Sequence, residues 1–298
     1  MYNKPVNTAH SPLGYRVLFT TLLLTVACSG DFAGLGRACT TNCPIVFAKR
    51  TNFIWDLYTI NADGTNLQNV TRDTATDVYP AWSPDHRHVA FYSGREPAGI
   101  YIMDADGSHR HFVVAQAPSG HMSWSPDGRQ IALDGSSDFG GDIFVMNADG
   151  TGYHDITNSN DFEEKPAWSP NGDLVAYSHY HEIWVMNPDG TNRHSLTGWQ
   201  PQPAFDPAWS PDGSHIAFAS IDSLGITNLF TMTADGRNWQ RLTITDRPAD
   251  RIPNWSPDGT QIVFQRDFSD SVGVFVVDAQ GARQPRQIAW GLSGQAAW

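Results

Sequence analysis

From residue 45 onward the chain runs as short apolar stretches broken by polar turns, and the order of the stretches repeats. Val89-Ala90-Phe91, Ile131-Ala132-Leu133, Val175-Ala176-Tyr177, Ile216-Ala217-Phe218 and Ile262-Val263-Phe264 form one set. Ile100-Tyr101-Ile102-Met103, Ile143-Phe144-Val145-Met146, Ile183-Trp184-Val185-Met186, Leu229-Phe230-Thr231-Met232 and Val274-Phe275-Val276-Val277 form a second. Short β-branched and aromatic runs bounded by turns predict strands buried on both faces. These are strands B and C of a repeating unit. Strand C ends at a turn, Asp106-Gly107, Asp149-Gly150, Asp189-Gly190, Asp235-Gly236 or Gln280-Gly281, and Asp-Gly between apolar runs is a strong hairpin signal. A weak strand D follows, as in Asp155-Ile156-Thr157, as expected for an outer edge.

Ahead of each of these strands B stands a stretch ending in Trp and followed by a Ser-Pro-Asp-Gly turn, as in Pro207-Ala208-Trp209-Ser210-Pro211-Asp212-Gly213, or by a close variant with Asn171 for the Asp or His86 for the Gly. Pro pre-sets φ and Gly accepts positive φ, so the chain reverses there at little cost. This stretch is strand A. Trp82, Trp124, Trp168, Trp209, Trp255 and Trp298 are equivalent positions, spaced by 42, 44, 41, 46 and 43 residues. A fixed period of that length marks a propeller or a solenoid.

The two ends decide between them. Ile45-Val46-Phe47 matches strand B, Leu57-Tyr58-Thr59-Ile60 strand C and Leu67-Gln68-Asn69-Val70-Thr71 strand D, with no strand A before them. Gln295-Ala296-Ala297-Trp298 is a strand A with nothing after it. Joining the two fragments makes a sixth blade and closes the ring, which removes the open edges of a linear array. The expected fold is all-β: a six-bladed β-propeller over residues 45–298, closed by a C-terminal strand that completes the N-terminal blade.

The pattern Pro-x-Trp-Ser-Pro-Asp-Gly, then Ile-Ala-Phe, then Val-Met-Asn-Ala-Asp-Gly-Thr, then Leu-Thr, resembles the WD-like repeat of TolB-like six-bladed propellers. Six units carry it. Periplasmic TolB has an α/β domain before its propeller, whereas residues 1–44 read here as a leader and a tether. The resemblance therefore implies a TolB-like propeller rather than the TolB of the Tol–Pal system. It says little about chemistry, since one fold hosts many functions.

Residues 1–27 read as a signal peptide: Lys4 and Arg16 are followed by the apolar run Val17–Ala27, too short to span a bilayer. Leu24-Thr25-Val26-Ala27-Cys28 resembles a bacterial lipobox, which implies lipidation of Cys28 and a membrane-anchored lipoprotein; simple cleavage after Ala27 would give a soluble periplasmic or secreted product. Residues 28–44 read as a tether, with Cys39 and Cys43 an even pair that could bridge in an oxidising compartment. Removing residues 1–27 takes the formal charge from −12 to −14, and Lys and Arg form no stripe, so nucleic acid and anionic membrane surfaces are poor partners. Contact with a membrane is expected only through the lipid anchor.

Candidate chemistry is sparse. No Gly-x-Ser-x-Gly elbow is present, and no hydrolase domain follows the propeller as it does in the prolyl-oligopeptidase group. Some pectate-type lyases place His ligands for a metal on a similar propeller. The corresponding candidate here is His179-Tyr180-His181-Glu182, near Glu163-Glu164. The expected function is therefore a non-catalytic binding or scaffold propeller of the cell envelope with a protein or peptide partner and no required cofactor. The alternative is a metal-dependent lyase or hydrolase acting on a carbohydrate or small anion. The sequence leaves the oligomeric state open.

Two sites are expected. The B–C loops and the connectors from D to the next A vary most, and carry Arg95, Glu96, Phe139, Tyr180, Asp222 and Phe268, with His179 and His181 beside them. Variable loops on a rigid scaffold are where binding concentrates. Five residues before each Trp stand Asp77, Ser119, Glu163, Ala204, Asp250 and Ser293, an acid in every second blade. Two readings stay open for Asp77, Glu163 and Asp250: a weak Ca²⁺ site at the channel mouth, or carboxylates held by backbone N–H groups, Lys165 or Arg251.

Overall fold

The computed structural model describes residues 43–115, 118–136, 141–246, 249–269, 271–281, 283–290 and 293–298. Residues 1–42, Cys28 and the expected leader among them, and Phe139 lie outside them. Twenty-four strands build six four-stranded antiparallel sheets, with no helix among the described residues. Blade 1 opens the chain with β1 (Pro44–Thr51), β2 (Ile54–Asn61) and β3 (Gln68–Asn69). Blade 2 holds β4 (Asp77–Trp82), β5 (His88–Ser93), β6 (Gly99–Asp104) and β7 (His111–Val114). Blade 3 holds β8 (Pro118–Trp124), β9 (Gln130–Ser136), β10 (Gly141–Asn147) and β11 (His154–Asp155). Blade 4 holds β12 (Glu163–Trp168), β13 (Val175–His179), β14 (Glu182–Met186) and β15 (His194–Ser195). Blade 5 holds β16 (Ala204–Trp209), β17 (His215–Ile221), β18 (Thr227–Thr233) and β19 (Gln240–Arg241). Blade 6 holds β20 (Ala249–Trp255), β21 (Gln261–Asp267), β22 (Val272–Asp278) and β23 (Arg286–Trp290), and β24 (Ser293–Ala297) returns to blade 1.

The order β24-β1-β2-β3 is the expected closure: Val46 pairs with Ala297 and Phe47 with Ala296. Trp298 is buried, and its indole N–H donates to the Cys43 carbonyl at 3.1 Å. The propeller begins slightly before residue 45, because β1 starts at Pro44 and Cys43 is buried beneath Trp298. Cys43 is in a disulfide.

The core lies between blades. One cluster joins Val46 and Leu57 of blade 1 to Val89, Phe91 and Met103 of blade 2; another joins Ile183 and Val185 of blade 4 to Ile216 and Phe218 of blade 5. Strands B and C therefore bury both faces, as continuous apolar runs should. Strand D is short for a further reason. Thr71, Thr157, Thr197 and Thr243, each 1 % exposed, accept the N–H of Leu57, Ile143, Ile183 and Leu229 on strand C through Oγ1 at 2.8–3.0 Å. A threonine hydroxyl thus satisfies a ladder donor that a longer strand would otherwise take.

The Ser-Pro-Asp-Gly turns are self-contained. Ser210 Oγ donates to Asp212 Oδ1 at 2.6 Å and accepts the His215 N–H at 2.9 Å, while Asp212 also accepts the Ser214 N–H at 3.0 Å. The hydroxyl of Ser210 leads the causes that hold the Asp212 carboxyl down to about 2. The Asp-Gly turns lock each blade to the one before. Gly190 has φ +79°, and a Cβ there would lie 2.1 Å from the Ile156 carbonyl oxygen of blade 3, so glycine is required.

Candidate functional site

The opposite edge of the ring is built from the B–C turns and the D-to-A connectors. Antiparallel register fixes its geometry: the first residues of strand A lie beside the last of B and the first of C. Glu163 thus pairs with His179 and His179 with Glu182; likewise Asp77 pairs with Ser93, and Asp250 with Arg266. The apolar side chains left in solvent gather here. Of nine exposed large hydrophobics among the described residues, seven lie on this edge: Phe53, Tyr180 and Leu224 at B–C turns, Phe162, Trp199 and Ile244 in connectors, and Trp290 at the end of β23.

The expected binding residues divide. Tyr180 and Glu96 are exposed, as is His181. Arg95 is turned into its blade instead. Its Nη2 lies 3.0 Å from both Asp77 oxygens and from Asp73, and its guanidinium stacks over Tyr101 at 5.0 Å. Asp222 caps its own loop, accepting the Leu224 and Ile226 N–H groups at 2.9 and 3.0 Å and pairing with Arg241 at 3.4 Å. These backbone bonds, that of Ile226 first, hold its carboxyl below the ordinary value. Phe268 is half-buried against Trp290 and Phe275, with centroids 5.5 and 6.2 Å away. Phe53, Trp199, Leu224 and Ile244 carry more of the exposed apolar surface. Sequence reading passed over them because solvent exposure of a single Leu or Ile leaves no local pattern.

The three acids of alternate blades do not share partners. Asp77 and Asp250 are fully buried, and each has its own guanidinium: Arg95 for Asp77, and Arg266, with Nε at 2.6 Å and Nη2 at 2.8 Å, for Asp250. Burial still raises both carboxyls above the ordinary range, against the pull of those arginines. Glu163 is 3 % exposed and has a different environment. Ser159 Oγ donates to its carboxylate, at 2.9 and 2.8 Å from the two oxygens, and His179 Nε2 lies 3.9 Å away; burial raises this carboxyl too. Lys165 and Arg251, expected as partners, are elsewhere: Lys165 Nζ pairs with Asp206 at 2.5 Å and Glu164 at 3.3 Å, and Arg251 with Asp267 at 3.8 Å. His179 also meets Asp161 Oδ2 at 3.3 Å, so the His179-to-Glu182 turn brings His179 to Glu163 and Asp161, while Glu182 bonds the Trp184 indole at 2.9 Å.

Deeper in the ring, strand A bulges in the same place in four blades. Tyr79, Lys165, Asp206 and Ile252, each three residues before its Trp, have φ of +54 to +57°. Such a backbone is a true outlier for β-branched Ile252. The bulge is held from the neighbouring blade: the Lys165 N–H donates to Asp134 at 3.0 Å, that of Asp206 to Ser178 at 3.0 Å and that of Ile252 to Asp206 at 3.1 Å. Lys165, Asp206 and Ile252 line a cavity of about 180 Å³ with His121 and the repeat residues Trp168, Trp209 and Trp255.

The profile described as "TolB beta propeller domain" matches residues 42–205 and 143–296. A "Tol-Pal system protein TolB" of Anaeromyxobacter dehalogenans is 32% identical over 134 residues, covering 42% of this chain and 30% of that protein. A "Protein TolB homolog" of Chlorobium luteolum is 28% identical over 144 residues, 48% of this chain and 33% of the relative. The aligned part spans about a third of these relatives' own length. Among solved structures, TolB from Acinetobacter baumannii superposes with a TM-score of 0.74 at 20% identity, over 86% of this chain and 66% of that one. An oligogalacturonate lyase in complex with manganese superposes with a TM-score of 0.58 at 16% identity, over 83% of this chain and 74% of that one. Both show the shared fold. With the profile spanning the ring from blade 1 to blade 6, the chain belongs to the TolB beta propeller domain family.

Proposed function

We propose that this propeller is an exported protein of the bacterial cell envelope that binds a protein partner through its connector edge. The observation that carries the reading is the concentration of exposed apolar side chains there, with Phe53, Leu224 and Ile244 at 86%, 81% and 75% exposure. Exposed apolar side chains gathered on one surface mark interaction sites, and loops on a rigid scaffold supply them. Relatives named for the Tol-Pal system support an envelope setting. Signal cleavage and acylation of Cys28 belong to the same reading, and intact-mass measurement of membrane-extracted protein tests them. The deciding experiment is capture from envelope extract on the immobilised propeller. Phe53→Ser, Leu224→Ser and Ile244→Ser together should abolish capture with little change in melting temperature. Undiminished capture by the triple variant would move the site elsewhere.

A metal-dependent enzyme is the second reading, favoured by one observation: Asp161, Glu163 and His179 present ligand atoms all within 4.8 Å of one another.

A further inference from the structure

We propose that the connector edge of blade 4 holds a divalent metal ion on Asp161, Glu163 and His179. The argument starts from the sister blades. In blade 6 the residue opposite the buried acid in the strand pair is Arg266, which engages Asp250 through two nitrogens. In blade 2 that place is Ser93, and Arg95, two residues on, reaches both oxygens of Asp77. Each buried carboxylate thus has a permanent cation. In blade 4 the same place is His179, and among the described residues neither Lys nor Arg pairs with Glu163.

The acid load is also heavier in blade 4. Asp161 is two residues ahead of Glu163, and Asp142, 1 % exposed, lies behind, accepting the Ser159 N–H at 3.0 Å and the Thr157 hydroxyl at 3.1 Å. Ser159 has one hydroxyl proton for the two oxygens of Glu163. A carboxylate this buried needs a partner, and the fold supplies one in the two comparable blades.

The spacing suits a metal ion. His179 Nε2 lies 3.3 Å from Asp161 Oδ2 and 3.9 Å from Glu163 Oε1. Tetrahedral ligands about 2.0–2.2 Å from one ion stand roughly 3.3–3.6 Å apart, so His179 and Asp161 already fit and Glu163 has to close in by a few tenths of an ångström. One imidazole with two carboxylates is a mixed nitrogen and oxygen set that suits Zn²⁺, with water completing the shell. Ca²⁺ takes six to eight oxygens and would find too few. The ligands are braced: the His179 ring packs on Trp184 at 4.8 Å and Tyr180 at 5.0 Å, and the Tyr180 hydroxyl donates to Asp161 Oδ1 at 3.3 Å. Groups that orient ligands in this way commonly tune metal affinity on the order of tenfold or more.

The test needs no binding partner, so it stands apart from the capture experiment. Protein stripped with chelator is titrated with ZnCl₂ and, separately, CaCl₂ by calorimetry, and melted with and without each ion. The expected result is one Zn²⁺ per chain, bound at least tenfold tighter than Ca²⁺. At Zn²⁺ a hundredfold above the dissociation constant, melting should rise by about 5 °C. Asp161→Asn, at an exposed position that should leave folding intact, and His179→Gln should each weaken Zn²⁺ at least tenfold. His194→Gln, on the exposed outer strand of the same blade, should not. Equal melting with and without Zn²⁺ would overturn the proposal. Zn²⁺ bound undiminished by both variants would overturn it too, by placing the ion elsewhere, and so would Ca²⁺ binding as tightly as Zn²⁺.

Discussion

The two edges of this ring solve the same backbone problem in opposite ways. On the turn edge, left-handed residues are mostly glycines, such as Gly190 and Gly213, and carboxylates such as those of Asp189 and Asp212 bond within their own turn. On the connector edge and in the channel wall, Phe53, Tyr180, Lys165, Asp206 and Ile252 take positive φ with full side chains. Each such residue costs roughly 1–2 kcal/mol of backbone strain. Its buried carboxylates Asp77 and Asp250 are answered by arginines outside their own strand. One edge is thus repetitive and locally satisfied. The other carries strain and long-range ion pairs, and it is where solvent-exposed aromatics stand. Strain and buried charge that a scaffold tolerates in one place point to a role for that place.

The largest effect should come from the joint that both edges share. Removing residues 294–298 strips β1 of its inner partner and deletes buried Trp298, a loss for which one large aromatic alone is worth about 3–5 kcal/mol. The truncated protein should melt far below the full chain, or fail to fold cooperatively; unchanged melting would refute the closed ring.

Next comes the connector edge. Asp250→Ala leaves the largely buried Arg266, 14% exposed, unpaired, and breaking a buried pair costs about 3–5 kcal/mol, the upper figure being for full burial. Asp212→Ala removes an exposed turn carboxylate bonded only within its turn and should cost about 1 kcal/mol or less. Urea denaturation of the two variants checks the contrast, and equal losses would erase it.

The glycine lock offers a sharper version of the contrast, with one glycine from each edge. Gly190→Ala should destabilise by several kcal/mol, since a methyl would meet the Ile156 carbonyl at 2.1 Å as well as strain φ. Gly225, also at positive φ but with nothing within 4 Å of a new Cβ, should lose only about 1 kcal/mol on the same change.

The smallest effect is in the pH profile. Asp77, Glu163 and Asp250 have carboxyls raised by burial, so the folded state binds their protons more tightly than the unfolded chain. Their contribution makes the fold more stable as pH falls from neutral towards the raised values. Asp212, held down to about 2, acts oppositely, and what it contributes is lost as pH falls from the ordinary carboxylate range through that value. Melting temperature should therefore peak in mildly acidic buffer and fall below about pH 4. Glu163→Gln should flatten the acid-side rise in metal-free buffer; a variant with an unaltered profile would remove Glu163 from the account.

The blade count, the strand order, the turns and the closure by the C-terminal strand were all legible in the sequence. They depend on local chemistry repeated around the ring: Pro and Gly at set places in the turns, β-branched and aromatic runs between them, and complementary fragments at the ends. Repetition makes each weak signal checkable against five others. Tertiary structure alone decided the partners of the irregular residues. Arg95 reads as a free cation on a variable loop, yet the antiparallel register carries it onto Asp77, and Lys165, next to Glu164, crosses to Asp206 of the following blade. The acids of alternate blades look alike as a list of residues, but the strand opposite gives Asp250 an arginine and Glu163 a histidine. Charge pairing acts across strands and blades, over separations that no short window of sequence spans, and side-chain reach through a bulged strand is settled only once the ring is closed.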